Sequence, residues 1–464
     1  MPGRYDAWEC GENLAGRWWG HPRRYTAVNI MGVPEVSEAS AAAHYRAPPD
    51  TRGGRWVAAF LFILGLVSAL CIRPQYHIVG GGEPIAIARN LVREGFFGNP
   101  FIVSARTGPT AHLPPLYPAF LALLLWMFPG QPVAVICMLV VHGLHAALLP
   151  SVSKLLFGLR TPGLYAAALC IGLPVFAVLP SWDAMYTAAG LMLFGLFSSW
   201  VVERTPSPLL AGGAAGLLGA ALELMNPMGL PVLIGWVVFI TARKYRTLKP
   251  VALFAAAFAL MLAAGCVPWI VRDYRCFHRL VFIRDNLGIE LNASNNDCAQ
   301  PSLEANLISG CAARVHPAGN RSEAELIVRM GEVDYNRLRL RTALGWIAAH
   351  RSRFWELTRQ RMADFWWPPY DWAIRAITVL SLFGLLAMAR SALSPSLFLA
   401  GVLALFPVLY YVVQSDIRYR YPILWISLLA AGYLLSALQH FATGRGIVHR
   451  ASAPRPASRR PGGL

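Results

Sequence analysis

The sequence predicts an all-α integral membrane protein, and three observations lead to this prediction. Apolar residues make up 56% of the 464 residues and charged residues only 14%, whereas an average soluble domain is about 25% charged. Apolar stretches recur along the chain, most of them close to the ~20 residues that a helix needs to cross a bilayer. Basic residues cluster at the ends of these stretches, as is typical of cytoplasmic loops. The stretches cover residues 57–72, 113–128, 132–150, 163–180, 184–202, 209–224, 227–241, 251–271, 374–390, 396–413 and 422–441.

The distribution of basic residues sets the number of crossings. If every stretch crossed, starting from a cytoplasmic N-terminus, the basic residues of 243–249 and of the tail 445–460 would lie outside, against the positive-inside rule. One early stretch that does not cross removes the conflict. The best candidate is 113–128, which opens with LPPLYP, because proline removes backbone donors and suits a tilted or re-entrant helix packed on protein. We therefore expect a bundle of about 10–11 transmembrane helices with both ends in the cytoplasm.

The chain is expected to divide into five segments. Residues 1–55 are polar and lack the apolar core of a signal peptide, so they are predicted to be a disordered cytoplasmic tail with Met31 as an alternative start. The other segments are an N-terminal membrane module at 56–271 that includes a first external loop at 73–112, a large exported loop at 272–372, C-terminal transmembrane helices at 373–441, and a basic cytoplasmic tail at 442–464.

The large loop is predicted to carry helices of its own. Over 322–341 and 344–367, apolar residues recur at helical spacing with arginines between them. This pattern is typical of amphipathic helices that lie on a membrane surface.

The net charge of +17 narrows the classes of partner. Most of it is explained by membrane topology and by anionic headgroups, and a subset of the arginines is a candidate for binding a phosphate. Nucleic-acid binding is excluded because no soluble basic domain is present to form a charged stripe. Cys71, Cys137, Cys170 and Cys266 lie in or beside apolar segments and are interpreted as packing residues. The sequence contains no CxxC motif and no His/Cys metal-ligand spacing.

Glu83 is the first candidate for chemistry. It follows three glycines and precedes Pro84, at the start of a short amphipathic helix predicted over 85–93. Polar backbone between two apolar segments must lie outside the bilayer or line an aqueous cavity. Glu83 is then either a charge that stabilises a helix end or a catalytic or metal-binding carboxylate, and the preceding glycines permit close approach by a bulky ligand.

Asp183 is the second candidate, and it lies at the mouth of an apolar segment. An ionisable group so near hydrocarbon is costly and is by default functional, although a helix N-cap assisted by Ser181 is the alternative. Glu83 and Asp183, on separate loops of one face, would suit a Mg²⁺ or Mn²⁺ ion, which prefers oxygen ligands. Glu223 is a weaker third carboxylate.

The sequence QSDIRYRY at 414–421 is a candidate phosphate site. On an extended turn, Arg418 and Arg420 point the same way, and a pair of guanidinium groups suits the geometry of a phosphate. The alternative is ordinary placement at the membrane interface, with the neighbouring tyrosines in the aromatic belt. His112 precedes LPPLYP and could donate to the same phosphate.

Four motifs together resemble a known family: GGEPIAIARNLVREGFFGNPF, TGPTAHLPPLYP, PWIVRDYRCFHRLVFIRDNLGIELNASNN and SDIRYRYPILW. The chain resembles the GT-C-type polytopic membrane glycosyltransferases, in particular the branch of protein O-mannosyltransferases, lipid A aminoarabinose transferases and bacterial transferases of the lipopolysaccharide-core type. The resemblance spans residues 56–440, and it implies a GT-C-type bundle whose catalytic module is 56–271.

The resemblance also implies a function. It points to transfer of a hexosyl or pentosyl group from a polyprenyl-phosphate donor to a lipid, glycan or protein acceptor, on the exported face of a bacterial inner membrane during cell-envelope synthesis. Glu83 would be the base of an inverting displacement, and Asp183 would match the second acid that some relatives use with a metal. His112, Arg418 and Arg420 would lie near the lipid phosphate. Many relatives have an Asp-Glu pair where this chain has Gly82 and Glu83, which leaves Glu83 alone.

Two other functions remain open from the sequence. A polysaccharide polymerase or ligase would also have outer loops rich in arginine, but it would not need Glu83. A non-enzymatic membrane transporter would show paired repeats with broken helices in matching halves, and none is recognisable.

A disulfide between Cys298 and Cys311 is predicted in the large loop. Both lie in a polar stretch that the topology places in an oxidising compartment, where exposed thiols tend to pair. Few large apolar residues surround them, so the loop would benefit from a staple. Cys276 is the competing partner, and two unpaired thiols are the alternative.

Overall fold

The computed structural model describes residues 52–71, 82–129, 133–172, 182–369 and 371–443. Most of the predicted N-terminal tail and the basic C-terminal tail lie outside these residues, as does Ser181, the residue proposed to assist Asp183 at the helix end. The first helix begins at Arg52, inside the segment predicted as tail. Within the described ranges the chain is helical apart from its connections, and no β-strand occurs there.

The described residues form a succession of α-helices joined by short connections. In chain order they are α1 (Arg52–Cys71), α2 (Glu83–Glu94), α3 (Leu116–Met127), α4 (Val133–Phe157), α5 (Thr161–Gly172), α6 (Ala184–Arg204), α7 (Pro208–Met225), α8 (Leu230–Lys244), α9 (Leu248–Phe277), α10 (Leu287–Ser294), α11 (Leu303–Ile308), α12 (Cys311–Val315), α13 (Arg321–Met330), α14 (Glu332–Ala349), α15 (Arg351–Trp366), α16 (Trp372–Ser391), α17 (Leu393–Leu405), α18 (Val408–Val412) and α19 (Tyr421–Ala442).

The predicted all-α membrane fold is confirmed. In the part of the chain that the structure describes, nine helices are long and apolar enough to cross a membrane. Helix α3, from the stretch predicted not to cross, has 12 residues. At 1.5 Å per residue it is shorter than the hydrocarbon core of about 30 Å. Its buried residues pack against α2 beside it, around Ile85 and Tyr117.

Helix α19 forms the centre of the bundle and is buried along most of its length. The indole of Trp425 in α19 is parallel to that of Trp236 in α8, with ring centroids 6.0 Å apart. At Gly432 the backbone of α19 approaches α5 so closely that a Cβ atom would lie 2.1 Å from the carbonyl oxygen of Pro162. Small residues at such crossings allow membrane helices to pack through their backbones.

The large loop is a folded unit that includes the first external loop. Phe101, from the connection after α2, packs in one cluster with Ile289, Ile327 and Tyr335 from α10, α13 and α14. Phe101, an aromatic residue distant in sequence, completes this cluster, so the loop does not form the core alone. The helices predicted as 322–341 and 344–367 form α13, α14 and α15, and Gly331 between α13 and α14 has a positive φ of 86°.

Cys298 and Cys311 are joined in a disulfide, with their Cα atoms 5.6 Å apart. Cys276, the competing partner, is a free and exposed thiol. The disulfide connects the start of α12 to the segment that precedes α11, so it closes a small loop around α11.

Candidate functional site

A cavity of about 600 Å³ lies between the end of the bundle and the large loop. Its polar lining is built from several separate parts of the chain. They are the start of α2, the connection before α3, the residues before α6, the residues after α7, the connection into α10, the residues after α12, and the connection between α18 and α19. The candidate residues on this lining are Glu83, His112, Asp183 and Arg418, and they are joined by Trp182, Asn226, Arg284, Asp285, Glu290, His316 and Tyr419.

Glu83 is the first residue of α2, and Gly82 is the N-cap. Pro84 fits there because the first turn of a helix lacks partners for its backbone donors in any case. The Glu83 carboxylate is only partly buried and lines the cavity. The positive charge of Arg418 interacts with it across the cavity wall. The structure thus places Glu83 beside a cation, in addition to its place at a helix N-terminus, where a negative charge is favourable.

Asp183 is the N-cap residue of α6, but its side chain makes no capping bond to the helix backbone. Thr187 Oγ1 shares its hydrogen bond between the Asp183 backbone oxygen at 3.0 Å and the carboxylate at 3.3 Å, and the carboxylate accepts another bond from the side chain of Asn226. Burial raises the pKa of Asp183 above its usual value, and the positive charge of Arg284 and these hydrogen bonds oppose the shift. Asp183 is therefore fixed toward the cavity rather than used to end a helix.

Arg418 lies in a short 3₁₀-helix (Ile417–Arg420) that precedes α19. Asp416 caps this turn by accepting from the backbone N–H of Arg418 at 2.9 Å. The guanidinium donates to Tyr419 Oη at 3.2 Å and lies 3.7 Å from the centroid of the Trp182 ring. A single guanidinium is thus held on the cavity wall by an acid, a phenol and an indole.

Arg420 does not reach the cavity, contrary to the expectation that it forms a pair with Arg418. Its Nη1 donates to the backbone oxygens of Phe365 and Trp366 at the end of α15, 3.3 Å from each. The side chain is 1% exposed. The expectation assumed an extended turn, whereas a 3₁₀-helix turns by about 120° per residue, so residues two apart point in different directions.

His112 is buried and lines the cavity, with its ring edge against Phe101 at a centroid distance of 4.9 Å. Burial lowers the pKa of His112 well below its usual value, and the nearby His316 and Arg284 lower it further. The imidazole is therefore neutral near pH 7. It can offer one N–H to a ligand but no positive charge, so the sequence-based role at a phosphate is limited to hydrogen bonding.

Arg284 is a site residue that the analysis of single residues missed. It lines the cavity, and its positive charge influences both Asp183 and His112. Its sequence signal is weak, because it is one of several arginines in the run RDYRCFHRLVFIRDN. Only the folding of this run back over the bundle, where Asp285 N donates to Ala111 O at 2.7 Å, brings Arg284 to the site.

Two acids of the large loop also line the cavity. Asp285 accepts a hydrogen bond from the Asn336 side chain, and burial raises its pKa to about 6 although this bond and Arg337 oppose the shift. Glu290 accepts from Asn286 Nδ2 at 3.4 Å. Glu223, the weaker third candidate, is buried in α7 and is not part of the lining.

The cavity lining does not assemble a full set of metal ligands. Among the residues that the structure describes, no three His, Cys, Asp or Glu side chains are close enough to hold a metal ion. A Mg²⁺ or Ca²⁺ site uses several oxygen ligands, and the Asp183 carboxylate already accepts bonds from Thr187 and Asn226. The expected Mg²⁺ or Mn²⁺ site on Glu83 and Asp183 therefore stays a prediction from the sequence.

The fold has counterparts among solved structures. The apo oligosaccharyltransferase of Archaeoglobus fulgidus matches with a TM-score of 0.50 at 12% sequence identity, over 84% of this chain and 52% of that chain. Its complex with Zn and sulfate matches with a TM-score of 0.52 at 14% identity, over 84% and 50%. Its complex with an inhibitory peptide and a dolichol-phosphate matches with a TM-score of 0.50 at 12% identity, over 85% and 52%.

These likenesses concern the fold, which is of the GT-C type. The chain spans about half the length of the structures that it matches. No protein-family model and no curated relative matches the sequence. The expected GT-C fold is thus supported by solved structures, whereas the branch of the family stays a prediction.

Proposed function

We propose that the protein is an integral-membrane glycosyltransferase that moves a sugar from a polyprenyl-phosphate donor to a lipid, glycan or protein acceptor by an inverting displacement. The observation that carries the proposal is one cavity, at the end of a membrane bundle of GT-C fold, that brings together the Glu83 carboxylate and the Arg418 guanidinium. The carboxylate suits the acceptor hydroxyl, which loses a proton in such a reaction. The guanidinium suits the phosphate, which leaves with a negative charge.

Glu83 is the better candidate for the general base. An acceptor hydroxyl loses its proton as it attacks the anomeric carbon, and a carboxylate within hydrogen-bond reach can take that proton. The Asp183 carboxylate is partly buried, as Glu83 is, but it already accepts bonds from Thr187 and Asn226. Glu83 lies on the cavity lining and is only partly buried, so an entering hydroxyl can reach it. Asp183 then acts as a fixed negative charge that orients Asn226 and attracts Arg284.

Arg418 and Arg284 would stabilise the leaving phosphate. The bond between the anomeric carbon and the phosphate oxygen breaks as the hydroxyl oxygen bonds to that carbon, and the electron pair stays on the phosphate. Because this group is already a weak base, it needs charge stabilisation rather than a proton. Preorganised guanidinium groups supply that stabilisation, and neutral His112 can add one hydrogen bond. Arg284 takes the place that Arg420 was expected to fill.

The cavity also suits a lipid carrier. Apolar residues line it beside the polar groups, among them Leu113, Met228, Leu409 and Val413. One solved structure of the same fold contains a dolichol-phosphate, which is a prenyl-linked phosphate. Another structure of that oligosaccharyltransferase is tethered to an acceptor peptide. By this analogy of fold, a prenyl phosphate on the donor side is supported. A peptide is one of the acceptor classes to be tested, together with lipid and glycan.

The site is proposed to face the exported side of a bacterial inner membrane. The positive-inside rule applied to the basic loops around Arg243 and Arg246 places these on the cytoplasmic side. Ile308, at the tip of α11 beside the cavity, is 81% exposed. In spheroplasts that carry the protein with Cys71 and Cys276, both free and exposed, replaced by serine, a cysteine at Ile308 should react with an impermeant thiol reagent, and one at Arg246 should react only after lysis. Labelling of both in intact spheroplasts would contradict the proposed placement.

The proposed function is tested by combining a deletion strain with matched variants. Lipid-linked sugars and surface glycans of the deletion strain are compared by mass spectrometry after complementation with wild type, Glu83→Gln or Glu94→Gln. Both glutamates belong to α2, but Glu94 is at its far end, paired with Arg106 at 3.0 Å. We expect one lipid-linked sugar to accumulate in the deletion strain and with Glu83→Gln, and to return to normal with Glu94→Gln. Full complementation by Glu83→Gln would remove Glu83 as base, and unchanged lipid-linked sugars in the deletion strain would remove the proposed reaction.

A further inference from the structure

The ring of Trp182 is close to two groups of the site. The Arg418 guanidinium carbon is 3.7 Å from the ring centroid, the shortest of the cation–π distances in the described residues. The backbone of Gly82 approaches the edge of the same ring: a Cβ atom there would lie 3.1 Å from Cζ2 of the indole. Trp182 therefore joins the residue next to Glu83 to the cation that Glu83 faces.

A ring in this place limits the freedom of Arg418. An arginine side chain has many rotamers, and a flexible guanidinium must be ordered each time a phosphate binds. The face of an indole attracts the guanidinium and holds it flat, which leaves the N–H groups at its edge available to a ligand. Asp416, whose Oδ2 is 3.7 Å from Arg418 Nε, and Tyr419 restrict the same side chain from other directions.

The contact with Gly82 ties the ring to the catalytic carboxylate. A distance of 3.1 Å is shorter than ordinary van der Waals contact, so a side chain at position 82 would require the ring or the start of α2 to move by a few tenths of an ångström. Since Glu83 is the next residue, either movement changes the spacing between carboxylate and guanidinium. The Trp182 ring is thus a steric reason for glycine at position 82 of this chain.

We infer that Trp182 is a positioning residue of the site, which packs on Gly82 and holds the Arg418 guanidinium in place to receive the phosphate of the donor. The role of Arg418 in this inference rests on the proposed function. The steric part, in which Trp182 requires glycine at position 82, stands on the geometry of the two residues alone.

A second tryptophan, in the helix α6 that follows Trp182, provides the control. Trp200, near the other end of α6, also carries an arginine over its ring, with the Arg204 guanidinium carbon 5.1 Å from the centroid. Trp200 is 50% exposed and is not part of the cavity. A variant at Trp200 therefore removes a similar pair from α6 without touching the site.

The first experiment measures binding of a polyprenyl phosphate, as probe, to the purified full-length protein in nanodiscs of phosphatidylethanolamine and phosphatidylglycerol. Trp182→Leu should weaken binding by about fivefold to thirtyfold, the range that a desolvated cation–π contact supports. Arg418→Gln should weaken it at least as much. Trp182→Phe, which keeps an aromatic face and folds even if the leucine variant does not, should stay within about threefold of wild type, and Trp200→Leu should bind as wild type does. Wild-type binding by Trp182→Leu would overturn the inference.

The second experiment tests the contact with Gly82 and needs no substrate. Thermal unfolding is compared for Gly82→Ala, Trp182→Leu and the double variant. If the ring requires glycine, Gly82→Ala clearly lowers the unfolding midpoint when Trp182 is present and lowers it much less when residue 182 is leucine. The effects of the two substitutions on the midpoint are then not additive. Additive shifts would overturn the steric part of the inference. A wild type that fails to bind the probe would instead overturn the proposed function, whatever the unfolding data show.

Discussion

The Glu332 carboxylate accepts a hydrogen bond from Thr110 Oγ1 at 2.6 Å, across 222 positions of the chain. The other carboxylate oxygen accepts from the backbone N–H of Ala111 at 2.7 Å. Arg272 binds the same connection through the backbone oxygens of Phe97 and Thr110. These bonds hold the residues next to His112 against the large loop. They therefore join two parts of the chain that both line the cavity.

This relationship predicts a pH-dependent stability. Burial raises the pKa of Glu332 from 4.5 to about 7, and the bonds from Thr110 and Ala111 and the charge of Arg272 offset only part of the shift. A carboxyl whose pKa is raised on folding favours the folded state below about pH 4.5, and this contribution is lost as pH rises through about 7. Between pH 5 and 8 the thermal midpoint of wild type should therefore fall relative to that of Glu332→Gln, by roughly 3 °C or more.

The matched control for this prediction is Glu325→Gln. Glu325 is an exposed acid in the neighbouring helix α13, paired with Arg321 at 2.7 Å. The thermal midpoint of the Glu325→Gln variant should change with pH as the midpoint of wild type does over the same range. Parallel midpoints for wild type and Glu332→Gln at every pH would show that Glu332 is ionised in the folded protein.

Arg418 and Arg420 should separate into two kinds of variant. Arg418→Gln should lower turnover by about 10²–10³, as expected when one preorganised donor to a developing charge is removed. Arg420→Gln should lower the unfolding midpoint instead, because Arg420 is buried against the end of α15. Turnover per folded molecule and thermal unfolding of both purified variants measure this difference. If Arg420→Gln loses turnover without losing stability, the exclusion of Arg420 from the site is wrong.

Asp183 should behave differently from an ordinary helix cap. Asp371 is a cap of this kind, since its carboxylate accepts from Ile374 N at 2.9 Å at the start of α16. Asn is as good a cap as Asp, so Asp371→Asn should keep both stability and activity. Asp183→Asn should lower turnover by at least ~10-fold, because it removes the negative charge that faces Arg284. Equal turnover of the two variants would reduce Asp183 to a helix-end residue.

The Cys298–Cys311 disulfide should support the cavity wall. It closes the loop that contains α11, whose Leu303 and Leu307 are on the lining, and it anchors the start of α12 next to Ala312, which also lies there. Replacing both cysteines by serine should lower the stability of the loop by roughly 3 kcal/mol in the chain-entropy account, and should weaken donor binding. Cys276→Ser, at a free and exposed thiol, is the control. Non-reducing peptide mapping should show the linked peptides in wild type, and recovery of both cysteines in alkylated form would contradict the pairing.

The sequence by itself determined the fold class and the membrane helices, because hydropathy and helical periodicity are local properties of the chain. It also identified Glu83 and Asp183, since a carboxylate at the edge of an apolar segment is conspicuous wherever the chain folds. The charge distribution predicts that the stretch 113–128 does not cross. This stretch forms the 12-residue helix α3, but the described part of 163–180 forms α5, which also has 12 residues, so the non-crossing stretch stays a prediction.

Only the tertiary structure decided the directions and surroundings of the remaining side chains. Arg420 turns away from Arg418 because their connection is a 3₁₀-helix, and His112 is neutral because Phe101 and the large loop bury it. Arg284 and Trp182 join the site through contacts with segments distant in sequence. Direction, burial and the charge of neighbours depend on which segments meet in space, and no local pattern of residues records that.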